Sequence, residues 1–235
     1  MYNVLKRIYI DENIDSDRIS FSDKDKIHHI VSVLRLKKND ELLVFNDNSG
    51  EFLATIEEII GKSKLTLAVI KKTKELYENN NITVAFSPIK QDRLRFLIEK
   101  CTEIGCKDFI PIITERAIIR DINYEKLRFY IIGASEQSGR ISVPVMHNKM
   151  TLISLLNQTK NQIIFCDELD DVHLISKMPF GKKDLVILIG PEGGFTTKER
   201  ELLTKNQNVL SVSLGKNILR SETAAIFALS CLISK

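Results

Sequence analysis

The chain has 235 residues, 43% hydrophobic and 28% charged, with 34 Lys and Arg against 31 Asp and Glu. This is an ordinary globular balance, with length for one large domain or two modest ones. A net charge of +3 permits a nucleic-acid partner without demanding one, and no apolar run approaches bilayer-spanning length.

The N-terminal segment MYNVLKRIYIDENID carries acids early and has no apolar signal core, so the chain reads as cytoplasmic. Residues up to about 72 are β-rich. Arg7–Ile10, Glu41–Phe45, Glu51–Ile56 and Lys64–Ile70 alternate in part with period two, and NDNSG (Asn46–Gly50) is turn chemistry. One helix is expected at Asp23–Leu34, with Ser22 and Asp25 as its cap and Ile27, Ile30, Val31 and Leu34 as its apolar stripe. On that stripe His29 points away and His28 lies at the flank. Short strands with one helix suggest a small barrel or curled sheet. The polar stretch KKTKELYENNN (Lys71–Asn81) reads as a linker.

From Ile82 the pattern becomes alternating α/β. Strands are expected at Ile82–Phe86, Phe109–Thr114, Gln162–Cys166, Leu185–Gly190 and Val209–Gly215. Helices are expected at Asp92–Ile104, stopped by Gly105, then at Tyr124–Gln137, Thr151–Leu156, Thr196–Lys205 and Ser221–Ile233. The rhythm implies a mostly parallel sheet, with the very apolar LVILIG strand at its centre. The boundaries are therefore 1–72, a linker at 73–81, and an α/β domain at 82–235. The cysteines, Cys101, Cys106, Cys166 and Cys231, match neither a zinc pattern nor CxxC and read as reduced thiols. No metal site is expected.

Two strand-to-helix loops carry the functional argument: IGPEGGF (Ile189–Phe195) and SLGKNILRSETAA (Ser213–Ala225). Such turns meet at the carboxyl edge of a parallel sheet, where α/β proteins bind small ligands. Gly193 and Gly194 let backbone approach a ligand, although a plain tight turn explains them equally well. The spacing is neither GxxxxGK[ST] nor GxGxxG, so a phosphate cradle is disfavoured. Ile218 and Leu219 are apolar residues in a connection, suited to a flat heteroaromatic ring. Ser221 reads as a helix N-cap and Glu222 as an answer to the helix dipole.

These two loops resemble the knotted cofactor site of the SPOUT superfamily of S-adenosylmethionine-dependent RNA methyltransferases. HHIVSVLRL (His28–Leu36), KCTEIGCKDFIPIITERA (Lys100–Ala117) and ASEQSGRISVP (Ala134–Pro144) extend the resemblance over almost the whole chain, toward the family that methylates uridine N3 in small-subunit ribosomal RNA. The resemblance implies a PUA-like N-terminal β-barrel for RNA, a C-terminal α/β domain with a deep trefoil knot, and a homodimer. The implied reaction is methylation of uridine 1498 of 16S ribosomal RNA. Ile189, Gly190, Gly194, Leu214, Ile218, Leu219 and Thr223 are then expected to line the S-adenosylmethionine pocket. Uridine N3 carries a proton at neutral pH, so the reaction needs a base or a stabilising cation. Arg220 suits a uracil carbonyl or a phosphate. Glu192, ahead of Glu222, suits the base. His29, Arg35, Lys37, Gln137 and Arg140 are the expected RNA contacts. A SPOUT methylase for another base or a ribose, or a catalytically silent RNA-binding assembly protein, are the competing readings.

Overall fold

In the computed structural model, which describes residues 5–77, 80–167, 173–178 and 184–233, contacts divide the chain into two units. The first comprises Met1–Glu78 and Ser135–Val143, the second Asn79–Ala134 and Pro144–Lys235.

The first unit is a mixed five-stranded sheet. Its strands are β1 (Arg7–Tyr9), β2 (Arg18–Phe21), β3 (Glu41–Asn46), β4 (Gly50–Ile60) and β5 (Lys64–Lys74), in the order β1-β3-β4-β5-β2. β1 pairs parallel with β3, and the other pairings are antiparallel. Three register shifts between β4 and β5 bend the ribbon. Alternation does the rest: Ile8, Phe21, Leu42, Val44, Ile56 and Leu67 face one core. The turn between β3 and β4 is held by Asn46, whose Oδ1 accepts from the Asn48 and Ser49 amides while its Nδ2 donates to Glu12 O. Gly50 follows with φ 96°, and a Cβ there would meet Lys74 O at 2.5 Å. Only glycine fits that place.

The expected helix over Asp23–Leu34 is interrupted. An α-helix α1 (Lys24–His28) passes directly into a π-helical turn at His29–Val33, in which the Leu34 amide donates to His29 O. Its cap is Asp23, not Ser22: the Asp23 carboxylate accepts from the Asp25 and Lys26 amides. The extra residue per turn rotates the stripe. His28 is exposed and His29 half-buried, the reverse of the order expected on a continuous α-helix. β2 was not anticipated, and β5 runs on to Lys74, into the expected linker. Residues 78 and 79 of that linker lie outside the described residues.

The stretch 135–143 also departs from the expectation of one continuous second domain. The cause is Arg7, whose side chain is only 10% exposed. Its guanidinium donates to Glu51 Oε2 (2.6 Å), Ser135 O (2.8 Å), Glu136 O (3.0 Å) and Arg140 O (3.0 Å), and it lies over the Phe45 ring. Tyr9 N donates to Glu136 Oε1, and Val143 N to Asp47 Oδ1. Burial raises the Glu136 carboxyl above its ordinary value, with the Tyr9 amide and Arg7 opposing.

The second unit is a parallel sheet. Its strands are β6 (Ile82–Phe86), β7 (Asp108–Ile113), β8 (Val145–Met146), β10 (Gln162–Asp167), β11 (Leu185–Ile189) and β12 (Val209–Ser213), in the order β12-β10-β11-β6-β7-β8. β9 (Met150–Thr151) pairs with β7 as well. β11 is buried at every position, as its composition demands, and lies between β10 and β6. The helices are α2 (Gln91–Ile104), α3 (Tyr124–Ser138, of which Ser135–Ser138 belong to the first unit), α4 (Leu152–Gln158), α5 (Thr197–Lys205) and α6 (Ser221–Ile233). Leu152, Leu155 and Leu203 of α4 and α5 join Ile163, Phe165, Val186 and Leu188 in one core. α2 packs on α6, which lies along β11 and β6. Gly105, at φ 115°, ends α2 with its amide on Cys101 O. Among the described residues no helix is long and apolar enough to cross a membrane, and no acidic, His or Cys cluster could hold a metal ion.

Candidate active site

Strand order builds the site. β12, β10 and β11 are neighbours, so the loops leaving β11 and β12 rise on either side of the end of β10. Between them lies a cavity of about 320 Å³. Its floor is Phe165, Cys166 and Asp167, one wall is Ile189–Glu192 with Gly194 and Phe195, and the other is Leu214–Ser221.

The first wall is tightly held. Gly194 has φ 65°, and its amide donates to Pro191 O at 2.9 Å. Gly190 is required for another reason: a Cβ there would meet the Phe195 ring at 2.7 Å. Phe195 itself is buried, edge-on to Phe165 at 5.1 Å between centroids. Behind the wall, Arg116 donates to Gly193 O (2.9 Å), and the Ser87 amide donates to Ile189 O (3.0 Å). Thr196 caps α5 in a full capping box with Glu199, as the sequence suggested. The Glu199 carboxylate, buried, also accepts from the Glu115 amide at 2.8 Å.

The two walls are joined. Ser221 Oγ donates to Gly190 O at 2.8 Å, so the start of α6 is tied to the first residue after β11. The second wall is otherwise open. Residues 215–218 are all exposed, Ile218 by 82%. Ser213 Oγ bonds the Gly215 amide and carbonyl, which bends the chain at the end of β12.

The structure brings together most of the expected residues. Ile189, Gly190, Glu192, Gly194, Leu214, Ile218, Leu219 and Arg220 all line the cavity. Thr223 does not: it lies on the exposed side of α6, and Ala224 lines the cavity instead. A helix turns about 100° per residue, so neighbours cannot share one wall. Glu222 is also displaced from the cavity lining. Its side chain is only 10% exposed, and Oε1 stands 3.9 Å from Arg93 Nε. Arg93 Nη1 is 3.5 Å from Glu192 Oε1, and Arg93 lines the cavity.

Further contributors did not stand out in the sequence. Asp167 and Arg200 form an ion pair in the cavity, with the Asp167 side chain almost fully buried. Asp167 ends the apolar strand β10, and only the strand order sets it between the two loops. Ser221 was seen only as a cap. Arg93 gave no signal, being on the polar side of α2 and 99 residues from Glu192. The Cys166 thiol, in the floor, is pushed far up by burial, with Cys231 and Asp167 adding to the effect. Burial thus favours its thiol form over the reactive thiolate.

The expected RNA contacts all lie in the first unit. Arg35 and Lys37 are exposed, Arg35 at φ 60° just after the π-helical turn. His29 is lowered from its ordinary value by burial and then by His28, so its ring is mostly neutral at pH 7. Gln137 is exposed. Arg140 is instead turned inward, 7% exposed, with Nε on Ser142 O and Nη2 on Ser142 Oγ. Donors that a phosphate would need are occupied there.

Comparison with known proteins follows the same division. The family model described as an RNA methyltransferase domain matches residues 77–233, and that of the RNA methyltransferase PUA domain matches residues 21–70. Ribosomal RNA small subunit methyltransferase E of Rickettsia conorii is 38% identical over 228 residues, covering 95% of this chain and 93% of the relative. The enzyme of the same name from Neisseria gonorrhoeae, solved bound to S-adenosyl methionine, superposes with a TM-score of 0.87 at 26% identity, covering 98% of this chain and 97% of that one. A methyltransferase from Legionella pneumophila, solved with bound cofactor SAM, gives 0.85 at 29% identity over the same shares. With a cavity built from adjoining strand-end loops and relatives matched end to end, the chain belongs to the ribosomal RNA small subunit methyltransferase E family of RNA methyltransferases.

Proposed function

We propose that this chain transfers a methyl group from S-adenosylmethionine to N3 of a uridine in 16S ribosomal RNA of the small subunit, the position implied by family resemblance being uridine 1498. The observation that carries the reading is the pair of strand-end walls lining one cavity, joined by the Ser221 Oγ bond to Gly190 O. The cavity lies in the size range of small-molecule sites. Its Leu214, Ile218 and Leu219 wall suits an adenine ring, and the Glu192 carboxylate suits a cationic group. Gly194 keeps its part of the wall free of side chain.

S-adenosylmethionine supplies a methyl carbon on a cationic sulfur, which keeps the bonding pair when the methyl leaves. The protein supplies the proton chemistry and the positioning. Glu192 is half-exposed at the cavity and is the base for the N3 proton. Arg220, exposed at the lip, pairs with a uracil carbonyl, where negative charge develops as the proton leaves, or with a neighbouring phosphate. No step needs a metal ligand set. In the first unit, exposed Arg35 and Lys37 face phosphates, neutral His29 offers a hydrogen bond rather than a charge, and Gln137 is a further polar contact. The family resemblance adds a trefoil-knotted thread through the parallel sheet, a homodimer, and a cytoplasmic setting with its ribosomal substrate. Exposed Phe227 is apolar surface that a second copy would cover.

The test is incubation of the purified chain with methyl-labelled donor and unmodified small subunits, followed by mass mapping of the RNA. We expect one methyl group on N3 of one uridine. Label on a ribose or another base would replace the proposed target, and no label with bound donor would make the chain a silent binder.

A further inference from the structure

Glu222 poses a problem that the cavity alone does not solve. Its carboxylate is nine-tenths buried in the first turn of α6, and Oε2 has no hydrogen-bond partner among the described residues. A buried carboxylate costs free energy unless something holds it. The N-terminus of α6 favours negative charge there, but the specific cation nearby is Arg93, reaching from the start of α2. That guanidinium lies between two carboxylates, 3.9 Å from buried Glu222 and 3.5 Å from half-exposed Glu192. Arg93 and Glu192 line the cavity, and Glu222 stands behind them.

Resting on the function proposed above, we infer that Arg93 is a positioning residue for the methylation, anchored by Glu222 and holding Glu192 at the cavity lip. The charge arithmetic gives the reason for two carboxylates. Within this trio one cation faces two anions. When Glu192 takes the proton from N3 it becomes neutral and releases its share of the guanidinium. Glu222 keeps Arg93 paired at that moment, so the cation stays in place beside the reacting base instead of swinging to solvent. Glu222 therefore acts through Arg93 and not on the substrate.

The experiment is a double-mutant cycle on methyl transfer to small subunits, using Arg93→Ala, Glu222→Gln and the combination, with Arg93→Lys as the conservative variant. Calorimetry with S-adenosylmethionine accompanies each. Glu222→Gln keeps the shape and removes a buried charge, so it tests the idea even where Arg93→Ala folds poorly. We expect kcat to fall about tenfold in Arg93→Ala and somewhat less in Glu222→Gln, with KM and cofactor affinity changed by less than about threefold. Arg93→Lys should recover part of kcat. The combined variant should be no slower than Arg93→Ala. Independent, multiplying losses in the combined variant would overturn the inference, as would an unchanged kcat in Arg93→Ala or a loss confined to cofactor affinity. A wild-type chain that methylates no small-subunit RNA would instead strike the proposed function, and the inference with it.

Discussion

The two walls of the cavity are built in opposite ways. The Ile189–Phe195 wall is fixed from several directions: its own turn, the Arg116 and Ser221 bonds, and the buried Phe195 ring against Phe165. The Leu214–Arg220 wall leaves residues 215–218 exposed, with Ile218 almost wholly in solvent. One wall is preorganised, so little ordering is needed there when a ligand enters. The other offers apolar surface that only a bound group can cover. Affinity should therefore depend on both walls, and fold stability on the first alone.

The most severe way to break the arrangement is Gly194→Arg. It forces a long side chain into the cavity at a left-handed backbone position, φ 65°. Calorimetry should show no detectable S-adenosylmethionine binding in a chain that retains its far-UV circular dichroism. Ile218→Ala sharpens the contrast between walls. Cofactor affinity should fall about tenfold through lost apolar cover. Stability should change by less than about 0.5 kcal/mol, because the side chain is already exposed; a clear drop in denaturation midpoint would mean that this wall is structural after all.

Ser221→Ala removes the tie between the walls and leaves Gly190 O without that donor. A hydrogen bond of about 1 kcal/mol predicts roughly fivefold weaker cofactor binding, together with a small loss of stability. Smaller again is Arg116→Ala, whose bond to Gly193 O lies at an exposed residue. About twofold weaker binding is expected, read by the same titration. Affinity unchanged in both variants would show that the first wall does not need its outer fastenings.

How far the sequence told this in advance follows from the range of the interactions. β6 and α6 were read to the residue, and the Thr196–Glu199 capping box was visible, because hydrophobic period and capping chemistry are local. The π-helical turn at His29–Val33 was not, since no residue type announces an i→i+5 bond, and it exchanged the exposure of His28 and His29. The placing of Ser135–Val143 in the first unit depends on Arg7, 128 residues from Ser135 along the chain. Arg93 was invisible for the same reason. Local patterns found the loops. Only the strand order β12-β10-β11 revealed that Asp167 and its neighbours form the floor between them.

A crystal structure of the chain grown with S-adenosylmethionine reaches the central claim directly. The account predicts density for the adenosine between the two walls, over Phe165 and Asp167, with Ile218 covered. Density in the groove between α4 and α5, lined by Ile153, Leu156 and Leu202, or none anywhere at saturating concentration, would contradict it.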